Sequence, residues 1–356
     1  MMNFTRLGDL VEITNGYAFK SSEYISEGIR VVRISNVQKG KIEDYDPKFY
    51  PNNTINDLNR YRIDENDILM SLTGNVGRVG LFPSALLPAY VNQRVCRIKP
   101  TTDKLYNKYL FYILDSDQFE FDAVNNSSGI AQLNLSTKWV EDYLVPLPPL
   151  ETQKKIAAIL DKADELKQND KKILEKYDQL AQSVFLEMFG DPFINPKRWK
   201  ERKFSEIVFS DKIITYGIVQ AGPNIPEGIP YIRTGDIVNG IILENQLLRT
   251  SKQIAKSYER SKCATGDIIM SIRATVGTIA ILPDTLNGVN LTQGTARISV
   301  NPEIANPMYI FYAIKSNGIQ KKINHKTKGA TFKEITLGRL RAVSYTHLTL
   351  PTILLV

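Results

Sequence analysis

Long stretches of this chain align with one another without a gap at a fixed offset of 200 residues, and that register constrains the fold more than any other feature. IRVVRISNVQKGKI at 29–42 matches IPYIRTGDIVNGII at 229–242, and ENDILMSLTGNVGRVGLFP at 65–83 matches TGDIIMSIRATVGTIAILP at 265–283. The second pair repeats Asp67, Ile68, Met70, Ser71, Val76, Gly77 and Pro83. Gln93, Arg97 and Ile98 recur as Gln293, Arg297 and Ile298, YLFYIL at 109–114 recurs as YIFYAI at 309–314, and Gly129 recurs as Gly329. One register held from residue 29 to residue 129 means a duplicated domain. The 356 residues suit two domains of about 150 residues with a connector.

Within each copy, ILMSL and IIMSI are short, branched apolar runs that predict a buried strand followed by a glycine-containing turn. VGRVGLF and VGTIAIL predict a second strand, ending at Pro83 and Pro283. KYLFYILDSDQFEF and MYIFYAIKSNGIQKKI carry the periodicity of an amphipathic helix. Tyr109, Phe111 and Tyr112 follow helical spacing, which favours core packing over a base-stacking platform.

Between the copies, PLPPL at 146–150 breaks the chain, and residues 151–189 then contain neither Gly nor Pro. Ile156, Ala163, Tyr177 and Val184 fall on one seven-residue frame. Ile159, Leu160, Leu166, Ile173, Leu174, Leu180, Ala181 and Met188 fill the complementary positions, and Asp170 alone interrupts the seam. A helix of this length is a rod of ~58 Å, close to two turns of B-DNA. Its apolar stripe requires a partner helix, from this chain, a second copy or another subunit. Gly190 ends it. The expected fold class is α+β: two homologous mixed α+β domains separated by a long coiled-coil-forming helix.

The duplicated domain, the PLPPLETQKKIAAILDKADEL junction, the MFGDPFINPKRW exit and the repeated DILMS…VG pattern together resemble the specificity subunits of type I restriction-modification enzymes. The resemblance implies a first target-recognition domain at 1–148, a spacer helix at 149–190 and a second target-recognition domain at 191–343. Each domain is then expected to read one half of a split target on double-stranded DNA. The helix is expected to act as spacer and as docking surface for two methyltransferase subunits, which endonuclease-translocase subunits join. The chain itself is expected to be non-catalytic and to bind no cofactor, with S-adenosylmethionine, Mg²⁺ and ATP residing in those partners. Because the two copies differ at most surface positions, the half-sites are expected to differ, giving an asymmetric target.

Charge supports this division unevenly. The net charge is +7, yet residues 1–150 sum to −2, residues 151–190 to −1 and residues 191–356 to +10. A basic second half suits phosphate contact; the first half gives no such signal. Cys96 and Cys263 are too few and too scattered for a disulfide framework or a thiolate metal site. No signal peptide or span of ~18 apolar residues is present, so a cytoplasmic protein with no membrane contact is expected.

Base-reading residues belong in loops where the copies diverge on a shared scaffold. The turn after DILMS offers Thr73, Asn75 and Arg78 in one copy and Arg273, Thr275 and Thr278 in the other. Arg suits guanine, Asn suits adenine, and Thr suits a hydrogen bond or a thymine methyl. The alternative is a plain polar hairpin. Asn92, Gln93 and Arg94 face Thr292 and Gln293 in the alignment, and the shared Gln argues for a structural or phosphate role there. Lys20, the polar run 125–132, and Lys326, Lys328 and Lys333 are phosphate-clamp candidates, or simply a solvated face. Ile156, Leu160, Ala163, Leu166, Ile173, Tyr177, Leu180 and Val184 are the expected packing residues of the helix.

A catalytic reading finds little footing. GDPF at 190–193 lacks the second proline of an adenine-methyltransferase motif, and no Gly-rich loop follows a strand. Asp67 and Asp267 recur without a metal-ligand constellation, and His325 and His347 belong to none. A coiled-coil adaptor with two protein-binding heads remains the competing non-enzymatic class. At the end, LGRLRAV at 337–343 follows the family pattern, while SYTHLTLPTILLV at 344–356 does not. These last residues are expected to lie outside the family sequence and to lack a strand partner, leaving the first helix without an intramolecular mate.

Overall fold

The computed structural model describes residues 4–52, 56–129, 132–329 and 333–347. The chain divides into two units, Met1–Lys171 and Lys172–Val356.

In the first unit, the strand Ile68–Ser71 lies at the centre. It pairs antiparallel with Val79–Leu81 on one side and Val95–Pro100 on the other, and the latter pairs with Val11–Asn15. The continuous apolar run Ile68, Leu69 and Met70 lets this strand bury both faces, because successive side chains point to opposite sides. Ile68 and Met70 pack with Leu110, Leu114 and Phe119 of the helices, while Leu69 packs with Phe82 and with Val32 and Ile63 of a second sheet. That second sheet runs Phe49–Tyr50, Ile29–Val32, Ala89–Val91 and Arg62–Ile63, with Ile29–Val32 and Ala89–Val91 parallel. Each fully buried Ile or Leu in these layers contributes about 1.5–3 kcal/mol.

The second unit repeats the design. Ile268–Ser271 pairs antiparallel with Ile279–Ile281 and with Thr295–Ile298. Ile268 and Met270 face Ile310, Ile314 and Ile319, and Ile269 faces Ile232, Leu282 and Leu291. Ile229–Ile232 again runs parallel to its neighbour, Asn290–Leu291.

Two expectations are corrected. The helical segment is not one helix but two in each copy, Asn107–Leu114 then Asp117–Asn125, and Pro307–Lys315 then Asn317–Lys326. Ser116 and Ser316 cause the break: each hydroxyl accepts the backbone N–H three residues on, capping the second helix. The aromatics do pack inward, with Tyr109 and Phe111 buried.

The second correction concerns residues 344–347. Ser344–His347 forms a strand antiparallel to Lys200–Lys203, as Leu144–Pro146 pairs with Phe4–Arg6 in the first copy. Tyr109 donates from its hydroxyl to the carbonyl of Pro146 at 3.1 Å, and Tyr309 donates to the carbonyl of Thr346 at 2.8 Å. Tyr345 is fully buried, 6.0 Å from the Phe204 ring. The sequence pattern is absent here, but backbone pairing asks only for an extended segment with one apolar side chain pointing inward. Residues 348–356 lie outside the described residues.

The helix between the copies runs unbroken from Leu150 to Phe189. Its buried apolar residues are Ala157 and Phe185, whereas Ile156, Leu160, Leu166, Ile173, Tyr177, Leu180 and Val184 are exposed, as is Ala163. The stripe with seven-residue spacing is thus the face left uncovered. Among the described residues no helix is long and apolar enough to cross a membrane.

Cys96 and Cys263 are buried and unpaired. Burial pushes the Cys96 thiol up to about 12, and that of Cys263 upward as well. Neither is a thiolate near neutral pH, so iodoacetamide at pH 8 is expected to label native protein only at the rate of local opening and to label urea-unfolded protein quickly. Mass spectrometry of labelled peptides checks this; fast native labelling contradicts the buried assignment.

Candidate nucleic-acid interface

The turn after the central strand is anchored identically in both copies. In the first, Leu72 N–H donates to the Arg94 carbonyl at 3.0 Å, Gly74 N–H to the Leu133 carbonyl at 2.8 Å, and Leu135 N–H to the Leu72 carbonyl at 2.8 Å. In the second, Ile272 donates to Gly294 at 2.8 Å, Ala274 to Lys333 at 2.9 Å, and Ile335 to Ile272 at 3.0 Å. Ser128 and Asn134 exchange backbone bonds of 2.9 and 2.8 Å, and Lys328 and Glu334 exchange bonds of 2.8 and 2.9 Å. Gly74 (φ 73°) and Ala274 (φ 58°) both take the left-handed conformation that turns the chain. The Ser71 hydroxyl donates to the Asn75 carbonyl, closing the first turn.

A third segment joins this cluster. Gln93 N–H donates to the Tyr17 carbonyl at 2.9 Å and Gln293 N–H to that of Ile218 at 2.9 Å. The approach is close enough that a Cβ on Gly16 would sit 2.1 Å from the Asn92 oxygen, and one on Gly217 1.9 Å from that of Leu291. Thr73, Asn75, Asn92, Gln93, Arg94 and the loop before Leu135 therefore share one end of the first sheet. Arg273, Thr275, Gln293, Lys328 and Lys333 share the matching end of the second. Of the run 125–132, residues 130 and 131 lie outside the described residues.

On this common backbone the side chains differ. Thr73 Oγ1 lies 3.3 Å from Asn134 Oδ1, whereas Arg273 Nη2 donates to Glu334 Oε1 at 3.1 Å. Arg94 is exposed and makes no ion pair among the described residues; its counterpart is Gly294. Each cluster thus carries an arginine, supplied from opposite segments.

Other candidates fall elsewhere. Arg78 turns toward the helical layer, with Nη1 3.1 Å from Gln38 Oε1 and Nε 3.7 Å from Glu120. That leaves it partly committed within the fold. Thr278 immediately precedes the returning strand, and its carbonyl accepts from Ser271 N–H. Lys20 is exposed and 3.5 Å from Glu23. Asp67 sits in the turn before its strand, accepting from Asp64 N–H at 2.8 Å, and Ser299 donates to Asp267 at 2.6 Å. Both carboxylates are structural. Asn134 and Glu334 were not identifiable from sequence, because pairing across 61 residues leaves no local pattern; their difference in charge at a 200-residue offset was the available clue.

The family model described as the type I restriction modification DNA specificity domain matches residues 1–177 and again 196–347. The chain is 30% identical over 361 residues to the EcoBI type I restriction enzyme specificity subunit of Escherichia coli, covering 94% of this chain and 73% of that one. It is 26% identical to the putative MjaX specificity subunit of Methanocaldococcus jannaschii, over 95% of this chain and 80% of that one. The crystal structure of the S subunit from M. genitalium is 16% identical, with 97% of this chain and 86% of that one covered at a TM-score of 0.49. This chain belongs to the type I restriction-modification DNA specificity family. It is a DNA-recognition component carrying two specificity domains, and the second match reaches residue 347, so residues 344–347 lie inside the family domain.

Proposed function

We propose that each copy reads one half of a split, asymmetric DNA target, that the helix Leu150–Phe189 sets the number of unread base pairs between the halves, and that its exposed apolar face docks methyltransferase subunits. The observation that carries the reading is the pair of loop clusters: one hydrogen-bonding scheme repeated twice, carrying different polar and charged side chains. A shared backbone with divergent exposed donors and acceptors is what two readers of unlike sequences need. The helix supports the docking role through a 420 Å³ groove lined by Tyr177, Leu180, Val184, Phe185, Met188 and Tyr312, with most of this helix face in solvent. S-adenosylmethionine, Mg²⁺ and ATP belong to the methyltransferase and endonuclease-translocase partners, in a complex that works in the cytoplasm.

Selection of bound duplexes from a random library by the chain assembled with its methyltransferase subunit tests this. A bipartite motif with two unlike halves is expected, bound with an affinity that falls with salt at a log–log slope of about −0.9 per phosphate neutralised. A single contiguous motif contradicts the two-reader assignment, and salt-insensitive binding or none returns the competing protein-adaptor reading.

A further inference from the structure

We infer that the Arg273–Glu334 pair is a preset guanine reader and fixes one base pair of the second half-site; the inference rests on the two-reader function above and names its determinant. The guanidinium is held at 3.1 Å by the carboxylate of Glu334, whose backbone is fixed by two hydrogen bonds exchanged with Lys328. Arg273 is in turn fixed at its backbone, between Ile272 and Ala274, which bond to Gly294 and Lys333. Gly294 lets Thr234 pack close beside Arg273: a Cβ on it would lie 2.9 Å from Thr234 Cγ2 and 4.0 Å from the Cβ of Arg273. The Arg273 side chain remains 42% exposed and that of Glu334 44% exposed, so the pair reaches solvent from a rigid base.

Charge decides between phosphate and base. An arginine meant for phosphate gains from being an unpaired cation, and a carboxylate at 3.1 Å largely cancels its long-range attraction. The same carboxylate fixes the plane of the fork. Glu334 engages Nη2 alone; with that bond on the Nε side of the fork, one hydrogen of Nη1 and the second of Nη2 are left as two parallel donors, the pattern that matches guanine O6 and N7 in the major groove. Lysine cannot reproduce a planar fork. The first copy places a neutral pair, Thr73 with Asn134, on the same backbone bridge. The position is therefore the same in both domains while the chemistry offered to DNA differs.

The test uses the full chain in complex with its methyltransferase subunit, and duplex selection as readout. Arg273→Thr with Glu334→Asn grafts the first copy's pair onto the second, a combination this backbone already carries. The graft is expected to lower preference for guanine at one position of one half-site by about 10-fold or more, with the other half-site and the salt slope unchanged. Glu334→Gln, which frees the cation but loses its brace, is expected to raise binding to unrelated DNA while flattening the same base preference. A uniform loss across all sequences, with a shallower salt slope, makes Arg273 a phosphate contact and overturns the inference, as does an unchanged motif. If the wild-type complex selects no split motif, the two-reader function itself fails; if it does and the graft leaves it intact, only the guanine assignment fails. Thermal melting of both variants confirms that the second unit remains folded.

Discussion

Tyr345→Ala is expected to destabilise the second unit by about 3–5 kcal/mol, the cost of truncating a fully enclosed aromatic side chain and leaving a cavity. Tyr345 has no exposed surface, lies with its ring tilted against those of Phe204 and Tyr309, and belongs to the strand that closes the domain on Lys200–Lys203. The loss can be assigned because each unit holds one of the two tryptophans, Trp139 in the first and Trp199 in the second. Urea unfolding followed by fluorescence in a Trp139→Phe background reports the second unit, and Trp199→Phe reports the first. The midpoint seen through Trp199 should fall and that seen through Trp139 should stay. A change under about 1 kcal/mol at Trp199 would mean that the cluster repacks without Tyr345, and that the strand Ser344–His347 contributes little. In the assembled complex the same variant should keep selection of one half-site and lose the other.

Strands of this fold were legible because burial on both faces demands a run of branched apolar residues, which no loop supplies; DILMS and DIIMS became the central strands. Helix interruption was not legible. Apolar spacing continues through Asp115 and Ser116, and only the hydroxyl that caps Asp117–Asn125 ends one helix and starts the next. Residues 344–347 failed for the opposite reason: their sequence departs from the pattern, yet the sheet edge at Lys200–Lys203 accepts backbone partners and one buried ring, whatever the rest of the segment says. The loop cluster was half legible. Divergence at 73 and 273 showed in the alignment, whereas the partners at 134 and 334 depend on a backbone bridge that exists only in the folded domain.

Duplication also explains why net charge was a poor guide to the first copy. Binding to phosphate needs local cations, and Arg94 stands exposed beside Thr73, without an ion pair among the described residues, in a half whose total charge is near neutral. The sum over a domain averages such a cation against acidic residues on other faces, including the helical layer, where Asp117 and Glu120 hold Lys39. The relevant quantity is the charge at the end of the sheet where the loops meet, and there both copies present an arginine.

Gln153→Met is expected to cost the first unit about 2–4 kcal/mol, although it preserves most of the volume and helix propensity of the side chain. A glutamine inside a charged helical run reads as a solvent-facing residue, but Gln153 has no exposed surface. Its Oε1 accepts Tyr106 N–H at 2.8 Å, and its Nε2 donates to the carbonyls of Lys104 and Pro148, both at 2.8 Å. One side chain thereby ties the start of the long helix to the loop before Asn107–Leu114. Ala157 packs one turn on, and Asp161 accepts from the Tyr112 hydroxyl at 2.6 Å and pairs with Lys108 at 2.8 Å. Methionine fills the space but strands one buried donor and two acceptors, each at a cost of about 1–3 kcal/mol reduced where water enters. Glutamate at this position keeps the acceptor, loses both donors and buries a charge, so it should be worse than methionine. Unfolding followed through Trp139 measures the loss. In the complex, a first domain less firmly tied to its helix should accept targets with more than one spacer length, which duplex selection reads directly. Wild-type stability together with a single spacer length in Gln153→Met would show that Ala157 and Asp161 are sufficient to hold the helix start.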